Sequence, residues 1–188
     1  MDRRTLVRQG AIAVGLVGAA VAFRVWNHET MAAPNLELVT AATLLGAVFL
    51  HRYFAAAVPV AALFLSDRLI GNGSVAWFTW SAFLLIGLSA LILRRWKEQD
   101  RKLVFGSAGW GLGAATFFFL WTNFGVWLLG DGTFYPKTWQ GLMTCYAYGL
   151  PFFGNTLISG AIVAPLGLAV AVYGPNFLTA KRLAIAVR

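Results

Sequence analysis

Long apolar runs without any charged residue dominate the second half of the chain. Three of them cover residues 75–93, 103–129 and 138–180, with 19, 27 and 43 residues. A bilayer core about 30 Å thick is crossed by roughly 20 residues of helix, so each run is long enough to span it. The pattern therefore predicts an all-α integral membrane protein.

A shorter apolar run near the N-terminus predicts a first membrane helix over about 9–26. Arg3 and Arg4 precede this run, an arrangement that resembles a twin-arginine export signal. We expect the segment to be retained as a helix rather than cleaved. A polar connection over residues 27–37 follows it.

The stretch 38–66 is interrupted by His51 and Arg52, and it forms either one long span or two short ones. Basic residues concentrate on the cytoplasmic side of membrane proteins. Two helices, over about 38–50 and 53–66, leave three of the 15 basic residues outside and place the other 12 inside. A single span would instead move the basic run 94–102 to the outside. The charge pattern therefore favours two short helices.

The last apolar run is too long for one straight span, since 43 residues at 1.5 Å each would reach about 64 Å. Proline removes a helix hydrogen bond and disfavours helix at the preceding residue. We therefore expect an outer-leaflet helix over about 138–150, a break near Pro151 and a final span over 151–173. With 75–93 and 103–129 as the fourth and fifth spans, residues 1–188 form a single polytopic domain. It has six transmembrane helices and both termini in the cytoplasm.

Composition and motifs narrow the function. Only 12% of the residues are charged, against about 25% in soluble domains. The net charge of +8 comes from short loops rather than from a basic stripe with aromatics, so nucleic acid is not expected as a partner. The single Cys145 excludes an intrachain disulfide, and no catalytic or phosphate-loop motif occurs. We expect no enzymatic activity, no metal and no other cofactor.

Polar and aromatic residues gather in the stretch 122–156, which this topology places on the outer side. They include Asn123, Trp127, Tyr135, Lys137 and Asn155. Polar groups at membrane depth are costly and tend to mark functional sites. Ordinary alternatives remain: interfacial anchoring for the aromatics, interhelical hydrogen bonds for the amides and solvation for the lysine. Asp67, beside Arg68 at the outer end of the third span, is either part of the same site or one half of a capping pair.

Small residues recur every four positions along the first helix, at Ala11, Gly15 and Ala19. Such spacing lets a neighbouring helix approach closely. The partner helix belongs either to this chain or to another subunit.

Five blocks of the sequence carry a resemblance to a known family: PNLELV (34–39), LSDRLIG (65–71), TNFGVWL (122–128), YPKTWQGL (135–142) and PFFGNTL (151–157). Together they resemble a family of uncharacterised bacterial membrane proteins assigned to transport. That family is similar to the substrate-binding S components of energy-coupling-factor (ECF) transporters. The resemblance covers about residues 24 to 173.

The resemblance implies an S-component-like protein of the bacterial cytoplasmic (inner) membrane. Such a protein binds a small water-soluble ligand in an outward cavity and has no ATPase of its own. A separate coupling subunit with two ATPases would be its partner. Carried over by position, the substrate-binding residues are Asn35, Asp67, Asn123, Trp127, Tyr135, Lys137 and Asn155. The partner-docking residues are Ala11, Gly15 and Ala19.

These roles can be stated as a hypothesis. Trp127 and Tyr135 would stack on the ligand, Asn123 and Asn155 would donate hydrogen bonds to it, and either Lys137 or Asp67 would meet its charge. The sequence departs from the family at Gly154 and Gly160, where basic and acidic residues are common. This departure supports an alternative, a non-catalytic structural or assembly subunit of a larger membrane complex. A third alternative is pigment or haem binding through His28 or His51.

Overall fold

The computed structural model describes residues 2–71 and 73–174, and this part of the chain is helical without strands. Its helices are α1 (Arg3–Thr30), α2 (Val39–Phe49), α3 (Phe54–Ile70), α4 (Ala76–Ala90), α5 (Asp100–Leu129) and α6 (Trp139–Ile158). A 3₁₀ segment, Leu91–Trp96, continues α4, and a π-helical segment, Ser159–Val163, continues α6. The described part of the last helix covers Trp139–Gly174.

Within the part of the chain that the structure describes, four helices are long and apolar enough to cross a membrane: Arg3–Thr30, Ala76–Trp96, Asp100–Leu129 and Trp139–Gly174. The two remaining helices are shorter, with 11 residues in α2 and 17 in α3. The expected all-α fold is confirmed, and it is of a kind that fits a membrane protein. Length and composition identify four candidate spans among the described residues, and the expected six spans stay a prediction.

The short helix α2 forms the centre of the bundle. It packs against α1, α3, α4 and both irregular segments. Nine of its 11 residues are buried, among them Leu44, Ala47 and Val48 with no exposed surface. A helix that is apolar on every side is stable only when it is enclosed. The lack of a polar face on α2 therefore agrees with its central position. The chain turns between Phe49 and Phe54, at the predicted His51–Arg52 position.

Large apolar side chains cover the outside of the bundle. Val14, Trp77, Phe105 and Val170 are each at least 70% exposed, and they lie on four different helices. Extended apolar surfaces of this kind mark contact with a membrane or with other proteins. The exterior is therefore suited to lipid along the four long helices.

The structure corrects the predicted break near Pro151. Trp139–Gly174 is one continuous helix of 36 residues, about 54 Å at 1.5 Å per residue, and Pro151 lies inside it. A proline removes one intrahelical hydrogen bond but leaves the others available, and α6 packs along α5 over this region. The proposed outer-leaflet helix 138–150 and span 151–173 are thus parts of one element. Its irregular turn lies further on, at the π segment Ser159–Val163.

Candidate functional site

A cavity of about 440 Å³ lies at one end of the bundle, beneath the loop of residues 31–38 that connects α1 to α2. We call this loop the covering loop. Eight polar residues line the cavity, and six of them lie near the covering loop: Arg24, Asn27, His28, Asn35, Glu37 and Thr40. The other two are Thr79 and Thr156. The deeper walls of the cavity are mostly apolar and include Leu63, Phe83, Ile86, Phe118 and Phe152. The cavity therefore has a polar end under the loop and an apolar body between the helices.

Side chains from two helices hold the covering loop in place. The Asn27 side-chain amide nitrogen donates to the carbonyl oxygens of Ala33 and Leu36 at 2.7 and 2.8 Å, and its oxygen accepts from the Ala33 N–H at 3.0 Å. Asn155 donates to the Pro34 carbonyl at 2.7 Å. These contacts give partners to backbone groups of a loop without regular structure and so hold it against the helices.

A third contact fixes the end of the loop deep in the bundle. The Glu37 N–H donates to Ser159 Oγ at 2.9 Å, and Ser159 Oγ donates in turn to the Asn155 carbonyl. Ser159 has no exposed surface and lies near the middle of the last helix. The covering loop therefore reaches into the bundle rather than lying over its surface.

Glu37 places a carboxylate at the polar end of the cavity. One carboxylate oxygen accepts the Thr40 N–H at 2.8 Å and the other accepts the Thr40 hydroxyl, so the side chain caps the start of α2. Removal from water raises the pKa of Glu37 above its ordinary value, and the hydrogen bonds from Thr40 and the nearby charge of Arg24 offset part of this increase. Capping supplies partners to the oxygens but no countercharge.

Arg24 is a cationic residue at the polar end of the cavity, and the Asp67 carboxylate already neutralises its charge. Its guanidinium forms an ion pair with Asp67 on α3 and donates to Ser66 Oγ. Trp80 Nε1 donates to the second Asp67 oxygen at 2.7 Å. Asp67 is thus paired across helices rather than with its neighbour Arg68, which lies over the Phe64 ring at 4.9 Å. The pair joins α1, α3 and α4 beside the cavity.

The structure separates the predicted substrate-binding residues into three places. Asn35 lines the cavity, and Asp67 supports it through Arg24. Asn155 holds the covering loop, as described above. Asn123 donates to the Phe119 carbonyl of its own helix at 2.8 Å and lines a small neighbouring cavity of about 60 Å³, which Asn35 also lines.

The other three predicted residues lie in and around the loop between α5 and α6. Lys137 Nζ donates to the carbonyl oxygens of Trp127 and Leu128, and it lies 5.4 Å from the centre of the Trp127 ring. Trp127 Nε1 donates to the Pro136 carbonyl at 3.0 Å. The Tyr135 ring lies 6.3 Å from that of Tyr148. Lysine near a helix C-terminus satisfies its last carbonyls, so this cluster closes the end of α5 and does not line the 440 Å³ cavity.

The predicted docking face of α1 points away from the rest of the chain. Ala11, Gly15 and Ala19 are exposed, and a Cβ added at Gly15 would meet no atom within 4 Å. The buried residues of α1 are Ala13, Ala20 and Asn27, spaced by seven, and they lie on another face. Within the described residues, no partner helix of this chain covers the small-residue face.

Sequence reasoning did not assign Arg24, Asn27, His28, Glu37 and Thr40 to the site. Two features of the sequence could have indicated this site. Arg24 interrupts the apolar run of the first helix, and Glu37 directly precedes an uncharged run. A charge in such a position needs a partner or a function. In the described ranges no three His, Cys, Asp or Glu side chains come together as a metal site would require.

Comparison with known proteins gives a family without an assigned activity. The model of DUF6580, a family of unknown function, matches residues 4–186, and the chain belongs to this family. No curated protein and no solved structure matches the chain.

Proposed function

We propose that this protein is the substrate-binding membrane component of a small-solute transport system, without catalytic or ATPase activity of its own. The observation that carries the proposal is the 440 Å³ cavity with a polar end and an apolar body. Binding sites for small molecules are concave, mostly apolar and roughly 300–1,000 Å³ in volume, with a few polar groups that fix orientation. The ligand would lie beneath the covering loop, with Asn35 as the contact that the sequence also suggests.

The proposed setting is the bacterial cytoplasmic membrane, with six crossings and both termini inside. In this orientation the basic turn 94–102 lies in the cytoplasm and the cavity opens toward the outer side, where a solute would be captured. The pair α2 and α3 would supply two of the six crossings. Because neighbouring helices enclose α2, its short length does not expose backbone groups to lipid.

A second candidate function, a structural subunit of a larger membrane complex, is favoured by the exposed small-residue face of α1. Faces of this kind allow close approach of another transmembrane helix. A transport component that depends on a coupling subunit would need such a contact as well. The two functions therefore differ in whether the cavity binds a ligand. The transport function requires such binding, and the structural function does not.

Native mass spectrometry of the protein extracted from its own membranes in mild detergent tests the proposal. We expect a bound small molecule in the wild-type protein and its loss in Ala114→Leu, because Ala114 lines the cavity and a larger side chain there occupies ligand space. Gly113→Leu is the matched control, since a Cβ at Gly113 meets no atom within 4 Å. A fixed complex with large subunits and no small molecule would overturn the transport proposal.

A further inference from the structure

The polar end of the cavity carries one more negative than positive charge. Arg24 and Asp67 form an ion pair and cancel each other. Glu37 accepts hydrogen bonds from the Thr40 N–H and hydroxyl, neither of which is charged. Among residues 2–71 and 73–174, no basic nitrogen lies within 4.0 Å of the Glu37 carboxylate.

A carboxylate without a countercharge in a largely apolar cavity is unfavourable unless a proton or a positively charged group neutralises it. A ligand with a positive charge would do so when it enters the cavity, and a carboxylate ligand would meet repulsion instead. Arg24 does not reverse this preference, because the Asp67 carboxylate neutralises its charge through the ion pair at Nη1. The electrostatics at Glu37 therefore select for a cation.

The remaining walls indicate what kind of cation. Three phenylalanines, Phe83, Phe118 and Phe152, line the apolar body together with Leu63 and Ile86. Aromatic faces attract ammonium groups and also contact apolar groups favourably. A hydrated inorganic ion would use none of this surface. An organic amine with an apolar body matches both ends of the cavity.

We propose that the ligand is a small organic cation whose ammonium group pairs with Glu37 and whose apolar part lies against Phe83 and Phe118. This inference rests on the proposed function, since it names the class of solute that the same cavity binds. Glu37 is the residue that determines specificity for charge.

Binding of three probes with similar frames tests the proposal: phenylethylammonium, phenylethanol and phenylpropionate. We expect the purified full-length protein to bind phenylethylammonium most tightly in calorimetric titration. Removing one partner of a desolvated charge pair costs about 2 kcal/mol or more, so Glu37→Gln should weaken phenylethylammonium binding by about 30-fold. Binding of phenylethanol should stay unchanged in this variant.

Glu29→Gln is the matched control, because Glu29 is an exposed carboxylate at the same end of α1 and does not line the cavity. It should bind all three probes as the wild type does. If Glu37→Gln does not fold, carbodiimide labelling of the wild-type protein replaces it. Phenylethyltrimethylammonium, a quaternary cation that cannot couple to the activated carboxyl group, should then protect Glu37 from labelling, and phenylethanol should not.

The outcomes separate this inference from the function on which it rests. Equal binding of phenylethanol and phenylethylammonium, or tightest binding of phenylpropionate, would overturn the assignment of a cationic ligand while leaving the cavity as a binding site. Failure of all three probes, together with no small molecule on the protein from its own membranes, would overturn both.

Discussion

Asp67 links three helices beside the cavity through its carboxylate. Its carboxylate meets Arg24 from α1 and Trp80 from α4, and its side chain is only 7% exposed. Loss of one partner of a buried ion pair leaves the other charge uncompensated, which costs far more than the pair itself contributes. The structural role of Asp67 is thus to let α1 carry an arginine inside the bundle.

We expect Asp67→Asn to lower the free energy of unfolding by about 3 kcal/mol, because it leaves the Arg24 guanidinium without a countercharge while it preserves side-chain size. Chemical denaturation in detergent micelles measures this change. Asp131→Asn should leave stability unchanged, since Asp131 lies in an exposed turn where its carboxylate accepts the Thr133 N–H. Equal effects of the two variants would show that the ion pair does not stabilise the bundle.

At the scale of single residues, the residues selected from the sequence coincide only in part with those around the cavity. Asn35 and Asp67 lie at or beside the cavity, as expected of site residues. Trp127, Tyr135 and Lys137 do not line it, because Lys137 finds nearer partners in the last carbonyls of α5. Which polar groups satisfy each other depends on three-dimensional packing, and spacing along the chain does not contain that information.

Helix lengths explain why a cavity forms at this end of the bundle. The helix α1 has 28 residues, about 42 Å, whereas the adjoining α2 has 11, about 16 Å. The covering loop must therefore descend into the bundle to reach the start of α2, where Glu37 meets Ser159. Backbone without regular structure is tolerated at such depth only where protein or a cavity surrounds it. The hydrogen bonds from Asn27 and Asn155 meet this requirement.

We expect Asn155→Ala to loosen the covering loop without unfolding the bundle. The variant leaves the Pro34 carbonyl without its side-chain donor, a cost of about 1–3 kcal/mol. Amide hydrogen exchange measured by mass spectrometry should speed up in residues 31–38. Asn123→Ala is the matched control, because Asn123 donates within its own helix and should leave exchange in the loop unchanged. Unchanged exchange in Asn155→Ala would contradict the role of this contact.

The last helix shows where sequence patterns reach their limit at the scale of elements. The turn between α2 and α3 was predictable, since His51 and Arg52 interrupt the apolar run and the positive-inside bias favours two helices over one there. The break near Pro151 was wrong, because the cost of a proline in a helix is offset here by packing along α5, which the sequence does not display. No proline or charged residue marks the π-helical segment Ser159–Val163 in the sequence, so its position could not be predicted.

Two glycines set the closest contact between α5 and this last helix. A Cβ added at Gly111 would lie 1.8 Å from the Gly160 carbonyl oxygen, and one added at Gly160 would lie 2.5 Å from the Gly111 carbonyl oxygen. Both obstacles are backbone atoms, which cannot turn aside as a flexible side chain can. The absence of a side chain at Gly160 is therefore explained by this crossing.

We expect Gly111→Ala to lower the free energy of unfolding by about 1–3 kcal/mol, because the added methyl group forces the two helices apart. Thermal unfolding in detergent, followed by circular dichroism, measures the effect. Gly113→Ala is the control on the same helix, where the added atom meets nothing within 4 Å. It should be neutral or slightly stabilising, since alanine favours helix over glycine. A loss of stability in both variants would point to glycine flexibility rather than to the close crossing.

At the scale of the whole molecule, the two ends of the bundle differ in kind. One end holds the cavity and the exposed loop between α5 and α6, while the other holds the basic turn around Arg94 and Arg95. Apolar side chains cover the surface between them. A bilayer around this surface would place the cavity and the basic turn on opposite sides, and the bias of basic residues would set which side faces the cytoplasm.

Single cysteines on a Cys145→Ala background test this arrangement, with labelling by a membrane-impermeant maleimide in intact and then permeabilised cells. We expect Thr133→Cys to react in intact cells and Gln99→Cys only after permeabilisation. Both positions are exposed, and neither substitution changes a charge.

Tyr53→Cys decides the number of crossings, because Tyr53 lies in the turn between α2 and α3 and is 70% exposed in the wild type. If both short helices cross, position 53 reacts only after permeabilisation, as Gln99→Cys does. If the pair enters and leaves on the outer side, the turn stays within the bilayer and position 53 reacts in neither case. Labelling of position 53 in intact cells would contradict six crossings outright, because the hairpin would then lie on the outer face.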